Sequence, residues 1–313
     1  IALAAKAAGV RRLYVAARCS NEAMAAGIEV VPVRSLKECV ALVRGEEEPM
    51  PYPMASHGYS DAGLDMRHVY GQEHAKRALE IAAAGHHSVL FVGPPGAGAT
   101  LLARRLTTIM PPLTKAETIE VICVHSVAGL TRRGQGLTTQ RPFRAPHYTA
   151  STAAVAGSHL APGEVSLAHH GVLFLDELTE FRAASLEAIF EAIRDGDVGN
   201  GANTFPARAL VVGHALPCAC GRSGRLSEHS LCVCTPELLA AYKARLQKLA
   251  RNFDIIVELA PVPMSVAAEG PTGETSEGIR ARVIRAQAFR QPPVSWSAHP
   301  RVAMTIATLD QRY

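Results

Sequence analysis

At 313 residues, with 48% apolar and 19% charged side chains, the chain has the composition of about two globular domains, which excludes a disordered, collagen-like or membrane-spanning protein. Its 32 basic and 28 acidic side chains leave a formal charge of only +4, so any attraction to nucleic acid has to come from local clustering. Aromatic residues make up 5%, which argues against a base-stacking platform.

Residues 1–45 alternate helical patterns (2–8, 21–26, 36–43) with short β-branched runs (13–15, 28–33), an α-β-α-β-α order that reads as the tail of an α/β domain. The first ten residues carry Lys6 and no signal-peptide layout, and no apolar run approaches the roughly 18 residues of a membrane helix. A cytoplasmic protein is expected. Because the chain opens on Ile1 in mid-pattern, it is read as a fragment or as a product that has lost its start. Residues 46–62, with three consecutive glutamates followed by Pro49, Pro51, Pro53, Gly58 and Ser60, hold too little apolar content to pack and form a linker.

A main domain opens near Gly63. Helices are expected over 72–84, 100–109, 184–194 and 236–249, and buried strands over 88–92, 171–175 and 209–213. Strands alternating with helices imply a parallel sheet flanked by helices. Two further helices, 276–289 and 300–309, make a small α-helical cap.

Between the strand 88–92 and the next helix lies Gly93-Pro94-Pro95-Gly96-Ala97-Gly98-Ala99-Thr100. A glycine-rich string that follows a strand and opens a helix makes a phosphate cradle: glycines permit the tight turn, backbone N–H groups point inward, and the helix N-terminus attracts negative charge. Thr100 would place its hydroxyl on a magnesium ion. The pattern calls for lysine before that residue, and Ala99 stands there instead, removing a charge that reaches the β- and γ-phosphates. The strand 171–175 runs into Asp176-Glu177, the acidic pair such a site needs, with Asp176 to hold magnesium and Glu177 to orient and activate the attacking water.

These residues, with the stretches 69–73, 76–85, 125–130, 141–147, 162–164, 171–181 and 217–221, resemble the magnesium-chelatase-like AAA+ ATPases of the ComM/YifB type. The resemblance covers about 65–310, and residues 1–45 are similar to the end of that family's N-terminal, Lon-protease-like domain. It implies an AAA+ nucleotide-binding core over 63–262 and a shortened helical lid over 263–313. It further implies ATP and Mg2+ as ligands, assembly into homo- or hetero-oligomeric rings, ATP hydrolysis, and DNA branch migration. DNA has separate support from residues 121–163, which contain no Asp or Glu but four arginines, Arg132, Arg133, Arg141 and Arg144. An inter-subunit surface, or a loop tied down by arginine, remains the alternative for them.

Four positions depart from the family pattern at once. Besides Ala99, Leu216 replaces the asparagine that senses the γ-phosphate, Arg251-Asn252-Phe253-Asp254 replaces a segment that offers an arginine finger, and Met304 replaces an arginine of the cap. Arg251 and Arg301 lie close enough in sequence to be substitutes. A hairpin segment over 197–203 is about four residues short against the family, and the cap lacks some tens of residues before Trp296 by the same comparison. The expected function is ATP binding by a DNA-remodelling ring motor whose own hydrolysis is impaired. The rival is a non-catalytic AAA+ scaffold or regulatory subunit of a homologous ring, and a decayed reading frame is a third reading.

Seven cysteines include the cluster Cys218, Cys220, Cys232 and Cys234, which is open to zinc, to reduced structural thiols or to a disulfide. Cys19, Cys39 and Cys123 are read as small buried apolar groups, and the pairs His86-His87 and His169-His170 as surface or capping residues.

Overall fold

The computed structural model describes residues 1–49, 63–131, 140–158, 160–200, 203–222, 232–262, 273–289, 302 and 305. The chain forms two compact units, one of 1–62 with 113–140 and the other of 63–112 with 141–313. Residues 113–140 thus cluster with the N-terminal segment.

In that first unit, α1 (Ala2–Ala7), β1 (Arg12–Ala16), α2 (Ser20–Ala25), β2 (Glu29–Val33) and α3 (Leu36–Arg44) follow one another in the expected order. β1 and β2 pair in parallel from Arg12↔Glu29 to Ala16↔Val33, and the Arg12 guanidinium meets the Glu29 carboxylate at 2.7 Å. Ser35 caps α3 by accepting the Glu38 N–H at 3.2 Å, and Gly45 ends it in the left-handed region at φ 73°. This unit buries few side chains, so Cys19 and Cys123 are exposed and Cys39 half-buried, contrary to the core role expected of them.

The second unit begins with α4 (Glu73–Gly85), β3 (Val89–Val92) and α5 (Ala99–Ile109). The chain then passes through α6 (Lys115–Val127), which belongs to the first unit and starts with a reciprocal Thr114/Glu117 capping box. It returns through β4 (Phe143–Arg144), α7 (Thr152–Ala156), α8 (Glu164–Leu167), β5 (Val172–Leu175), α9 (Ala183–Asp195), the hairpin β6 (Asp197–Asn200) and β7 (Asn203–Pro206), and β8 (Leu210–Ala215). α10 (Pro236–Ala250), β9 (Ile255–Glu258) and α11 (Ser276–Phe289) complete the described elements. The expected helix 300–309 lies outside the described residues except for Val302 and Thr305, both helical.

Five strands form one parallel sheet in the order β4-β5-β8-β3-β9. Alternation along each strand builds a core on both faces. Val89, Phe91, Val172, Phe174, Leu210 and Val212 join a cluster with residues of α4, α5 and α11. Leu90, Leu173, Leu175 and Val211 join the other, with Val155 of α7, Val165 of α8, and Leu186 and Ile189 of α9. The result is an α/β fold with helices on both sides of a parallel sheet, consistent with an AAA+ domain. Glycine is required at position 171, where a Cβ would collide with the Pro142 carbonyl oxygen. Among the described residues no helix is long and apolar enough to cross a membrane.

The histidine pairs are more buried than their sequence suggests. His86 ends α4 in the left-handed region at φ 57°, a capping role, but His87 is fully buried against the Thr305 hydroxyl at 2.9 Å. His169 is buried too and accepts the Arg208 N–H at 3.1 Å.

Candidate functional site

Because β8 lies between β3 and β5, it spaces the loop after β3 and the carboxylates after β5 across the C-terminal edge of the sheet, where ligands of parallel α/β folds bind. The turn after β3 is held from both sides. The Gly93 N–H donates to the Ala215 carbonyl at 3.1 Å, and a Cβ on Gly93 would stand 2.7 Å from Leu259 Cβ. The Gln72 side-chain amide donates to the carbonyls of Ala97, at 3.0 Å, and Ala260, at 2.6 Å, tying the turn to the segment after β9. Gly96 and Gly98 adopt φ 81° and 95°, which glycine tolerates, and a Cβ at either would face open space. The unobstructed space at the N-terminus of α5 leaves room for a phosphate group to approach the backbone.

Ala99 is buried at the first position of α5, and Thr100 follows exposed. The Thr100 hydroxyl lies 3.4 Å from Asp176 Oδ2. This is long for an O–H···O bond. Two oxygens on one octahedral magnesium lie about 3 Å apart, so the pair has the separation and donor chemistry such an ion needs. Asp176 Oδ1 is 2.7 Å from His214 Nδ1 and also accepts the Glu177 N–H at 3.0 Å. The His214 contact holds the Asp176 carboxyl below its ordinary range, outweighing half-burial that pushes the other way. A carboxylate only accepts, so Nδ1 carries the proton in this contact. His214 Nε2 is buried without a hydrogen-bond partner among the described residues.

Glu177 takes a left-handed backbone, φ 51° and ψ 48°, which a non-glycine residue adopts at a cost of about 1–3 kcal/mol and which clusters at functional sites. Its side chain is exposed.

Among the described residues, few polar side chains flank the exit of β8. Leu216 follows Ala215 at the end of β8, and its carbonyl accepts the Tyr242 hydroxyl at 2.9 Å. A Cβ on Gly221 would stand 3.2 Å from Pro95 Cδ and 3.6 Å from Leu216 Cδ1, so Gly221 is flanked by the glycine loop and by the Leu216 side chain, which carries no polar group. Arg251 ends α10 exposed, and Phe253 is buried edge-on to Phe190 with centroids 5.7 Å apart. Arg301 and Met304 lie outside the described residues.

Of the arginines assigned to DNA, Arg132 and Arg133 lie outside the described residues. Arg141 donates to the carbonyls of Pro111 at 2.6 Å and His170 at 2.7 Å. Arg144 forms a bidentate pair with Glu164, both contacts 2.6 Å, which raises its pKa. The acid-free stretch thus ends at the residue that neutralises Arg144. These two arginines fit the tied-down alternative.

The four clustered cysteines come together. Their sulfurs lie within 4.8 Å of one another, with Cys218–Cys220 at 3.3 Å, Cys220–Cys232 at 3.6 Å and Cys218–Cys232 at 3.7 Å. The described separations are those of non-bonded sulfurs, well beyond the S–S bond of about 2.05 Å. Hydrogen bonds from the backbones of Arg222 and Val233 lower the Cys220 thiol to about 6, and burial raises Cys234 to about 12.

His214 and the clamp made by Gln72 escape a reading of the sequence for site residues. His214 sits within an apolar strand and matches no motif. Gln72 stands in a family-like stretch, but only the fold shows what it holds.

Comparison with known proteins follows the same lines. The family described as magnesium chelatase, subunit ChlI, matches residues 65–266. The chain is 41% identical over 251 residues to an uncharacterised YifB protein of Salmonella typhimurium, covering 77% of this chain and 47% of that one. It is 35% identical over 292 residues to the competence protein ComM of Haemophilus influenzae, covering 88% of this chain and 56% of that one. With YifB of Escherichia coli it shares 34% over 297 residues, 86% of this chain and 57% of the relative. The chain spans about half the length of these curated relatives.

Proposed function

The chain belongs to the family of magnesium chelatase subunit ChlI, and from that premise we propose that it binds Mg-nucleotide weakly at the edge of an AAA+ core and hydrolyses it poorly. The observation that carries the reading is the convergence of the Thr100 hydroxyl and Asp176 Oδ2 beside a glycine loop whose backbone is intact. In this reading the N–H groups at the start of α5 take the phosphates, Thr100 and Asp176 hold magnesium, and His214 and the Glu177 N–H keep Asp176 ionised and aimed. Bound magnesium would neutralise phosphate charge. Glu177 would orient the attacking water, but Ala99 and Leu216 contribute nothing at the γ-phosphate, and the described residues of the finger segment carry Asn252 and Phe253 in place of the expected motif.

The same proposal takes 1–45 as the end of an N-terminal domain, 46–62 as a linker, 63–262 as the AAA+ core and 263–313 as the lid, in a cytoplasmic protein. Ring assembly with like or related chains is part of it. A DNA-remodelling role would rest on Arg132 and Arg133, since Arg141 and Arg144 are committed within the fold. The second reading, a scaffold within an active homologous ring, is favoured by the simultaneous loss of Ala99's lysine and Leu216's asparagine.

Phosphate release from MgATP, measured with and without DNA, tests the reading. The unaltered chain is expected to release phosphate only slightly faster than Glu177→Gln, and DNA is expected to stimulate neither. Release that DNA stimulates and Glu177→Gln abolishes would identify a working motor instead.

A further inference from the structure

We propose that Cys218, Cys220, Cys232 and Cys234 bind one zinc ion in a closed four-thiolate site that pins the exit of β8 to the start of α10, directly beside the glycine loop. The assignment is independent of nucleotide binding, because every ligand lies outside the Thr100/Asp176 site.

Geometry carries it. Four sulfurs bound tetrahedrally at about 2.3 Å lie about 3.8 Å apart. The separations of 3.3, 3.6 and 3.7 Å cluster near that figure, and all four sulfurs fall within 4.8 Å of one another. The ligands come from two arms far apart in secondary structure. Cys218 and Cys220 follow β8, in a turn closed by the Gly221 N–H donating to the Cys218 carbonyl at 2.9 Å. Cys232 and Cys234 immediately precede Thr235, which caps α10 by accepting the Leu238 N–H at 3.3 Å. An isolated Cys-x-Cys is a tight spacing for one metal arm, and it is the facing of two such arms that completes a tetrahedron.

The donor set selects the ion. An all-thiolate site suits a soft or borderline divalent ion and disfavours magnesium and calcium, which need oxygen. With four protein ligands no position is left open for water or substrate, so the ion is structural. Binding releases the thiol protons to solvent and leaves a net dianionic centre, whose sulfurs meet backbone N–H groups of Arg222 and Val233 around Cys220. Cys218 is fully buried, so the site is built into the fold from one side.

The ion also has something to hold in place. Gly221, at φ 74°, leaves only 3.2 Å between its Cβ position and Pro95 Cδ, so the first cysteine arm rests on the glycine loop. The Tyr242 hydroxyl of α10 already reaches the Leu216 carbonyl at 2.9 Å, and the ion would add a second tie at the cysteines themselves.

The test uses the full chain, purified reduced without a metal-binding tag and desalted. Plasma mass spectrometry is expected to find about one zinc per chain, and a mercurial that blocks the thiols should release it into a chromogenic chelator as four thiols react. Cobalt substituted for zinc should give the intense visible absorption of a tetrahedral thiolate complex. Cys232→Ser should weaken zinc retention against a competing chelator by tenfold or more; if that variant does not fold, the measurements on the unaltered chain still decide. A chain that takes up no zinc on reconstitution while all four thiols titrate freely, one that holds iron instead, or one with a disulfide among the four overturns the proposal.

Discussion

Ala99→Lys is expected to raise the affinity for MgATP by about ten- to hundredfold, because a charged hydrogen bond contributes about 1.5–3 kcal/mol and each 1.4 kcal/mol is a factor of ten. The rest of the cradle is already in position. Gly96 and Gly98 hold the turn open, Gln72 clamps it through the Ala97 carbonyl, and Ala99 occupies the first position of α5. Lysine keeps the buried Cβ of Ala99 and adds only reach and charge, so a folded variant is expected. Isothermal titration of both chains at ligand concentrations into the millimolar range measures the difference. A change smaller than threefold in a folded variant would mean that the loop is not poised for phosphate.

Leu216→Asn added to Ala99→Lys should raise phosphate release by about 10²–10³ over Ala99→Lys alone, the usual effect of one donor aimed at developing charge. Leu216 stands one residue past the carbonyl that anchors Gly93, and both it and Pro95 approach Gly221, so a side-chain amide there would be expected to face the loop. Leucine has no polar atom to offer. Adding Glu177→Gln to the pair should return release to background, which separates restored chemistry from contamination. The absolute rate should stay low, since an arginine finger is worth about 10³–10⁵. No rise in the double variant would place the defect elsewhere in the site.

Much of the fold is legible in local pattern. Apolar runs such as 171–175 and 209–213, and amphipathic stretches such as 184–194, become elements within a residue or two of their expected ends. Sheet order is not legible, because the pairing of β8 between β3 and β5 joins segments far apart in sequence. The two-residue β4 is too short to carry a period, and β9 has one buried residue in four. α6 carries a start signal in Thr114 and Glu117, but its apolar residues spread around the helix and blur the period that would follow it. At the site, the glycine loop, Thr100, Asp176 and Glu177 can be singled out from spacing alone, and the fold sets the Thr100 hydroxyl 3.4 Å from Asp176. His214 cannot, since its role exists only once β8 lies beside β5. The charge window of 121–163 does not show that Arg144 is paired, because a sequence count stops at its own boundary and Glu164 lies one residue beyond it.

The central claim is that this chain keeps the cradle for nucleotide and has lost what reads the third phosphate. Parallel calorimetric titrations of the unaltered chain with MgATP and MgADP address it most directly. Because neither Ala99 nor Leu216 can contact a γ-phosphate, the two nucleotides should bind with affinities within about threefold, a difference below about 1 kcal/mol. MgATP binding tenfold or more tightly than MgADP would show that the γ-phosphate is still recognised and would contradict the account.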